Sequence, residues 1–210
     1  MHPRIELLIF DADGTLVNTL ERSYKRDCQI ITELGGRVPS MHEYKSTGVR
    51  GDWRKFYESF GVKDYQRALS LFYDRLDFED IEAIPEVLET LEEIKRRDIK
   101  MAIASTNKDK SRVIRKLELT NLLQYFEAES IHSNPGSKVR AIKAECLRVK
   151  ANPDFTLFVT DTARDIWYGK RAGVRTAGLI NYFCFDSASS ITEAKPNLLL
   201  MNIRGLLEFI

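Results

Sequence analysis

A run of four apolar residues, 7–10, ends abruptly at two aspartates, Asp11 and Asp13, followed by Gly14. A short apolar run bounded in this way is typical of a strand that is buried on both faces. Because side chains alternate along extended backbone, Asp11 and Asp13 can face one cavity, and Gly14 allows a sharp turn there. Two carboxylates held this close repel each other unless a cation or a proton separates them. The stretch therefore indicates a metal-dependent active site or, as the plainer alternative, a polar turn after a core strand.

The composition is typical of a soluble globular domain rather than of a membrane, nucleic-acid-binding or disulfide-rich protein. The 210 residues, 43% of them hydrophobic, are enough for one sizeable domain or for a core with a small insertion. A formal net charge of +1 and the lack of a long Lys/Arg run argue against a nucleic-acid partner. The sequence has no signal-peptide pattern and no apolar run of membrane-spanning length, so we expect a cytoplasmic protein without a membrane partner. Cys28, Cys146 and Cys184 lack paired spacing, which favours reduced thiols over disulfides or a zinc site.

Residues 18–84 have a helical, charge-rich pattern. Ser40 and Glu43 have the spacing of a capping box at the start of a short helix. Asp52 is expected to cap a further helix, and another helix is expected to run from Asp64 to about Leu76. The region is therefore predicted to form a small all-helical cap domain.

From Pro85 onward, helices alternate with short apolar strands, which is typical of a parallel sheet covered on both faces. Pro85 is expected at the favourable first position of a helix that continues over 86–97. The predicted fold class is α/β: a Rossmann-like parallel sheet with helices on both faces, formed by residues 1–17 and 85–210, with the helical cap 18–84 inserted between them.

The segment 11–16 reads Asp-Ala-Asp-Gly-Thr-Leu. It matches the first motif of the haloacid dehalogenase (HAD) superfamily of phosphohydrolases, Asp-x-Asp-Gly-Thr-Leu, and the chain resembles that family. The resemblance implies a magnesium-dependent phosphatase in which Asp11 attacks phosphorus and forms an aspartyl-phosphate. Asp13 would protonate the leaving oxygen and then activate water. The resemblance also implies that the first strand lies centrally, between the strands of the second and fourth motifs.

An apolar strand that ends at Ser105, Thr106 and Asn107 resembles the second motif of the family. There a hydroxyl at the strand end donates a hydrogen bond to the transferring phosphoryl group. Ser105 fits that role best, Thr106 is the alternative, and both hydroxyls can contribute, with Asn107 as a further substrate contact. The plainer reading is that these hydroxyls cap the following helix.

The third motif requires a cation that reaches both the phosphate and the nucleophile. Lys138, at a predicted helix start, is the best candidate, although Val139 follows it where the family often has proline. Lys143, Lys108 and Lys110 are the competing lysines, and an ordinary solvated lysine is the plainer reading.

The fourth motif is carried by Asp161 and Asp165, four residues apart at a strand-to-helix junction. Two carboxylates with this spacing can share a cation. The resemblance implies that Mg2+ is held by Asp11, the backbone carbonyl of Asp13 and Asp161, with Asp165 in support. Thr160 stands where the family usually has glycine.

The cap is expected to select the substrate, which the resemblance to phosphoglycolate phosphatase-like members implies is a small phosphorylated metabolite. Arg50, with Lys45 behind it, is the candidate cap contact, and a solvent-facing arginine is the alternative. The oligomeric state is left open between monomer and homodimer.

Two other functions remain open for a chain of this kind. Sugar-phosphate mutases of the family keep the second aspartate but usually carry a cap histidine about ten residues after it, where this chain has Ser23 and Tyr24. A catalytically silent binding protein is the other possibility. The four acids of the first and fourth motifs, Asp11, Asp13, Asp161 and Asp165, are all present and argue against it, because no structural need explains so much repulsion.

Overall fold

The computed structural model describes residues 5–47, 52–76, 81–134 and 136–210. The strands are β1 (Leu7–Phe10), β2 (Val17–Asn18), β3 (Glu82–Ala83), β4 (Lys100–Ser105), β5 (Ile131–Ser133), β6 (Thr156–Thr160), β7 (Arg175–Leu179) and β8 (Leu198–Leu200). The α-helices are α1 (Leu20–Glu33), α2 (Met41–Ser46), α3 (Trp53–Ser59), α4 (Tyr65–Asp74), α5 (Val87–Arg96), α6 (Lys110–Leu119), α7 (Val139–Val149), α8 (Ala163–Ala172) and α9 (Ala188–Glu193). Strands and helices alternate from β3 onward, as the sequence pattern predicts.

Six strands form a parallel sheet in the order β5-β4-β1-β6-β7-β8. Phe10 at the end of β1 pairs with Ile103 of β4 on one side and with Val159 of β6 on the other. The predicted central position of the first strand is therefore confirmed. Because parallel strands end at the same edge of a sheet, the residues that follow β1, β4 and β6 meet there.

Both faces of the sheet are covered by helices. Leu8 and Phe10 pack into a hydrophobic cluster with side chains of α5 and α6, whereas Leu7 and Ile9 pack with side chains of α7 and α8. Successive side chains of a strand point to opposite faces, so β1 has to be apolar at every position. The predicted α/β fold class is confirmed.

The helices α2 and α3 start at the predicted capping residues, and α4 starts directly after Asp64, where a helix was predicted to begin. The Ser40 hydroxyl accepts a hydrogen bond from the Glu43 backbone N–H, and the Ser40 N–H donates to the Glu43 carboxylate, which completes the capping box. Asp52 accepts backbone hydrogen bonds at the start of α3, and Asp64 does so at the start of α4. These helices have a hydrophobic cluster of their own, which Phe185 from the loop before α9 joins.

The start of α5 differs from the prediction. Pro85 lies in a turn, Glu86 has a positive φ of 67°, and the helix begins only at Val87. The reason is a two-stranded antiparallel ladder between β2 and β3, which the sequence analysis missed. The ladder is continued by a hydrogen bond from the Ile84 N–H to the Leu16 carbonyl, so the chain is still extended at Ile84 and has to turn before a helix can begin.

Within the described ranges, no helix is both long enough and apolar enough to cross a membrane. Cys28, Cys146 and Cys184 are free thiols; the last two are buried and the first is half-buried.

Candidate active site

Asp11 is fixed at the end of the central strand. Its backbone N–H donates to the Val159 carbonyl at 3.0 Å, which extends the β1–β6 pairing by one residue. Its Oδ1 accepts a hydrogen bond of 2.7 Å from the Ala12 N–H. The residue is only 3% exposed. The backbone of Asp11 therefore cannot shift without breaking the pairing of β1 with β6, and its carboxylate is held at the end of the strand.

Asp161 is packed against the turn that follows Asp11. Gly14 has a φ of +78°, and a Cβ added there would lie 2.3 Å from Asp161 Oδ2. The Thr15 hydroxyl donates to Asp161 Oδ1 at 3.0 Å, and the Phe185 N–H donates to Oδ2 at 2.8 Å. A side chain at position 14 would force these groups apart, so glycine is required both by its φ and by the close approach.

Lys138 lies between two carboxylates. Its Nζ is 2.6 Å from Asp11 Oδ1 and 2.5 Å from Asp165 Oδ2, and the residue is 2% exposed. Burial on its own disfavours the charged amine, but Asp11 and then Asp165 outweigh it and raise the pKa of Lys138 above its usual value. Lys138 is therefore a cation in contact with the candidate nucleophile.

None of the three competing lysines makes such a contact. Lys110 donates to the Ala128 carbonyl, Lys108 is exposed and lies 4.8 Å from the centroid of the Tyr73 ring, and Lys143 is exposed on α7. Of the four lysines considered for the third motif, the structure brings Lys138 alone to Asp11.

Asp165 lies in the first turn of α8, where its backbone N–H donates to the Thr162 hydroxyl that caps the helix. The Thr160 hydroxyl donates to Asp165 Oδ2 at 3.3 Å. The departure from glycine at position 160 therefore adds a donor that helps to orient Asp165, and both residues are buried.

Ser105 ends β4 and is 4% exposed, and its Oγ accepts a hydrogen bond from the Asn107 N–H at 3.1 Å. One cavity is lined by Asp11 and Asp13 and also by Ser105, Thr106 and Asn107. The structure thus brings the predicted residues of the first and second motifs to one cavity.

Lys116 is a residue of this cavity that the sequence analysis missed. Its Nζ lies 2.6 Å from Asp13 Oδ1 and 2.7 Å from Oδ2, and the lysine is 7% exposed. The sequence carries a usable signal, because Lys116 shares the helical face of the buried residues Val113, Leu117 and Thr120. A lysine on the apolar face of a helix requires a buried partner.

Side chains of the helices α1–α4 also line the cavity, among them Arg22 and Arg26, which the sequence analysis missed as well. Arg50, the predicted cap contact, lies outside the described residues. Lys45, predicted to stand behind it, donates to the Tyr182 carbonyl at 2.6 Å, and burial lowers its pKa. Lys45 thus contacts the loop before α9. It is not among the residues that line the cavity, whereas Arg22 and Arg26 are.

The geometry agrees with the comparison to known proteins. A family model described as haloacid dehalogenase-like hydrolase matches residues 8–179, so the chain belongs to the haloacid dehalogenase-like hydrolase family. Phosphoglycolate phosphatase 1 of Pseudomonas aeruginosa is 26% identical over 221 residues, covering 96% of this chain and 78% of the relative. Pyrophosphatase PpaX of Bacillus cereus is 27% identical over 226 residues, covering 97% of this chain and 95% of the relative. The chain is thus an enzyme of a hydrolase family whose named relatives are phosphatases.

Solved structures support the fold. A haloacid dehalogenase-like hydrolase from Streptococcus pneumoniae superposes with a TM-score of 0.80 at 19% identity, covering 98% of both chains. A HAD family hydrolase from Deinococcus radiodurans, solved with bound phosphate and sodium, gives a TM-score of 0.77 at 16% identity, with 97% and 93% covered. At these identities the likeness establishes the fold.

Proposed function

We propose that this protein is a magnesium-dependent phosphatase that hydrolyses a small phosphate monoester through an aspartyl-phosphate, as phosphoglycolate phosphatase-like enzymes do. The observation that carries the proposal is the contact between Asp11 and the buried Lys138 at the end of the central strand, beside a cavity lined by Ser105. A nucleophilic carboxylate needs an adjacent cation that offsets the charge of the incoming phosphoryl group.

The residues divide the reaction between them. Asp11 attacks phosphorus in line with the leaving oxygen, and Asp13 gives that oxygen a proton as the bond breaks. Asp13 then takes a proton from water, which hydrolyses the aspartyl-phosphate and releases phosphate. Ser105, Thr106 and Asn107 hold the phosphoryl oxygens from the end of β4.

The donor set fits Mg2+ as the metal. Within the part of the chain that the structure describes, no group of three or more His, Cys, Asp or Glu side chains could hold a metal ion unaided. Magnesium commonly keeps several waters and binds one or two carboxylates together with substrate phosphate. Asp11 and Asp161 with the backbone carbonyl of Asp13 would make such a set, with Asp165 in support. When bound, Mg2+ would neutralise charge on the phosphoryl oxygens.

The proposal assigns the chemistry to a core domain of residues 1–17 and 85–210 and substrate selection to a cap domain of residues 18–84. The names of the relatives, a phosphoglycolate phosphatase and a pyrophosphatase, favour a small phosphorylated metabolite as the substrate. We place the reaction in the cytoplasm, and we retain Arg50 as a candidate substrate contact of the cap.

The test is phosphate release from a panel of small phosphate esters, phosphoglycolate included, with Mg2+ and with EDTA. We expect release that requires the metal and that Asp11→Asn lowers by at least about 10³-fold, since it removes the nucleophile. Asp154→Asn, an exposed position, is the matched control. An active, correctly folded Asp11→Asn variant contradicts the proposed nucleophile. A wild-type protein that releases no phosphate from any ester favours the silent binding protein instead.

A further inference from the structure

The cavity in front of Asp11 has more room than a phosphoryl group needs. Its volume is about 330 Å3, at the lower end of the range of about 300–1,000 Å3 typical of small-molecule sites. Asp11, Asp13 and Ser105 line it at the sheet edge, and residues of α1 line it as well. The space beside α1 is therefore available to the group that leaves with the oxygen.

Two arginines of α1 face this space. Arg22 and Arg26 are four residues apart, so they lie on one face of the helix. Both line the cavity and also an adjoining surface groove, which contains Lys25, Arg75 and a single acid, Asp74, among its described residues. The charged side chains that line the groove are thus four basic and one acidic, although Arg75 is paired with Glu33. Arg26 lines both the cavity and the groove.

Arg26 is held in place by an aromatic ring. Its guanidinium carbon lies 3.9 Å from the centroid of the Phe72 ring, and its side chain is only 12% exposed. Cation–π contact of this kind fixes the plane of the guanidinium and keeps water from one of its faces. The charge is therefore both oriented and partly desolvated, two conditions that strengthen its interaction with an anion.

The carboxylate next to Arg26 compensates its charge only in part. The Arg26 Nε is 3.5 Å from Asp27 Oδ1 and has no hydrogen-bond partner among the described residues. Asp27 is fully buried and accepts hydrogen bonds from Tyr44 at 2.7 Å and Tyr57 at 3.2 Å. Burial raises the pKa of Asp27, against the opposing effect of Arg26. An external anion at Arg26 therefore meets a cation whose nearest acid is already engaged.

We propose that Arg26, with Arg22 beside it, forms a second anion subsite, so that the preferred substrates are phosphate monoesters whose leaving group carries another oxyanion, a carboxylate or a second phosphate. The inference rests on the proposed phosphatase function and names its substrate class. A guanidinium offers a planar set of N–H donors that matches either oxyanion in a bidentate contact.

Substrate pairs that differ in one charge test this subsite. For the carboxylate arm, 2-phosphoglycolate is compared with 2-hydroxyethyl phosphate and 3-phosphoglycerate with glycerol 3-phosphate. For the phosphate arm, propane-1,3-diol bisphosphate is compared with 3-hydroxypropyl phosphate. We expect the wild type to prefer the charged member in at least one arm, and that arm identifies the oxyanion. In Arg26→Gln we expect the ratio of kcat/KM for the charged over the neutral member to fall by about ten- to a hundredfold, the usual effect of losing a charge-assisted hydrogen bond. The fall in the ratio comes from the charged member, because the neutral member has no second oxyanion for the guanidinium to bind.

The ratio of kcat/KM for the two members of a pair is independent of the amount of folded protein, so partial unfolding of Arg26→Gln does not disturb it. Lys55→Gln removes the same charge from an exposed position of α3 and is expected to leave the ratio unchanged. Arg26→Lys is expected to recover part of the preference. An Arg26→Gln ratio equal to that of the wild type overturns the subsite, as does a wild type that favours neither member in either arm.

Equilibrium binding separates this inference from the phosphatase function. In the Asp11→Asn background we expect 2-phosphoglycolate to bind more tightly than 2-hydroxyethyl phosphate, and Arg26→Gln to abolish the difference. If no ester is hydrolysed but this difference is found, the subsite stands and the phosphatase function falls. If esters are hydrolysed but Arg26→Gln leaves the difference in affinity intact, the phosphatase function stands and the subsite falls.

Discussion

The sheet edge and the helices α1–α4 hold their functional side chains in different ways. At the sheet edge each predicted carboxylate has an identified polar partner: Lys138 for Asp11 and Asp165, Lys116 for Asp13, and the Thr15 hydroxyl for Asp161. In α1–α4 ring contacts predominate, as between Trp53 and Phe72, whose centroids are 4.5 Å apart. The first region is fixed by strand pairing and charge, and the second by apolar packing.

Under the proposed function, this difference separates the residues that carry the chemistry from those that select the substrate. Hydrogen bonds and ion pairs have narrow distance limits, so a change at the sheet edge displaces reacting groups. Apolar contacts tolerate replacement by other apolar side chains of similar volume, so the wall formed by α1–α4 can vary while the fold is kept. We therefore expect substitutions at the sheet edge to lower kcat, and substitutions along α1–α4 to alter KM and discrimination between substrates.

The largest effect is expected for Lys138→Met, compared with Lys143→Met on the same helix. Removal of the ammonium leaves Asp11 and Asp165 buried without their cation, which costs about 3–5 kcal/mol of stability. We also expect kcat to fall by about 10²–10³-fold, because the charge that offsets the phosphoryl oxygens is lost. Chemical denaturation and steady-state kinetics measure the two effects. Equal effects of the two variants would refute the assignment of Lys138.

Two glycines with positive φ compare the regions directly. Gly14, at the sheet edge, has Asp161 Oδ2 at 2.3 Å from an added Cβ, whereas Gly35, after α1, has φ +73° and nothing within 4 Å. Alanine at either position adds backbone strain of about 1–2 kcal/mol. Gly14→Ala must in addition move Asp161, and we expect kcat to fall by about 10²-fold. Activity assays and thermal unfolding are the readouts. An equal loss of activity in Gly35→Ala would contradict the expected difference between the sheet edge and the helices α1–α4.

A smaller effect is expected for Lys116→Met, with Arg115→Met on the exposed side of α6 as the control. Lys116 contacts both oxygens of Asp13, so without it the carboxylate can take other orientations. We expect kcat to fall by about tenfold at an unchanged KM, since Asp13 acts on the leaving oxygen after substrate has bound. Lys116→Arg should recover part of the rate. A raised KM at an unchanged kcat would place Lys116 in substrate binding instead.

The sheet edge could be predicted from the sequence because strand ends are local signals. Apolar runs mark where β1, β4 and β6 stop, and the polar residues that follow them have to meet at one edge. Lys138 is the best of the four candidate lysines for a different local reason, its place at a predicted helix start. The sequence does not by itself show the partner of Lys116, because the contact with Asp13 joins residues 103 positions apart.

The helices α1–α4 could be predicted as helices, but their cavity-facing side could not. Capping residues are local signals, and Ser40 and Asp52 cap α2 and α3 as expected. In α4 the buried positions are Ala68 and Leu71, while Phe72 and Tyr73 line the cavity. Helical spacing identifies an apolar stripe, but the same stripe can face a core or a ligand, and the arrangement of neighbouring helices decides which.

The smallest effect is expected in the capping box of α2, where Glu43→Gln should alter stability with pH and leave catalysis unchanged. Hydrogen bonds from Arg37 and from Ser40 lower the pKa of Glu43 to about 2, from an ordinary value of 4.5. An acid whose pKa is depressed on folding adds stability above its unfolded pKa and loses it as the pH falls through the folded value. The Tm difference between wild type and Glu43→Gln should therefore be constant above about pH 5 and decrease toward zero as the pH falls toward 2. A difference that persists at pH 2 would mean that the contribution of Glu43 does not depend on its charge, and a lower kcat at neutral pH would show that this local cap also positions the wall of the cavity.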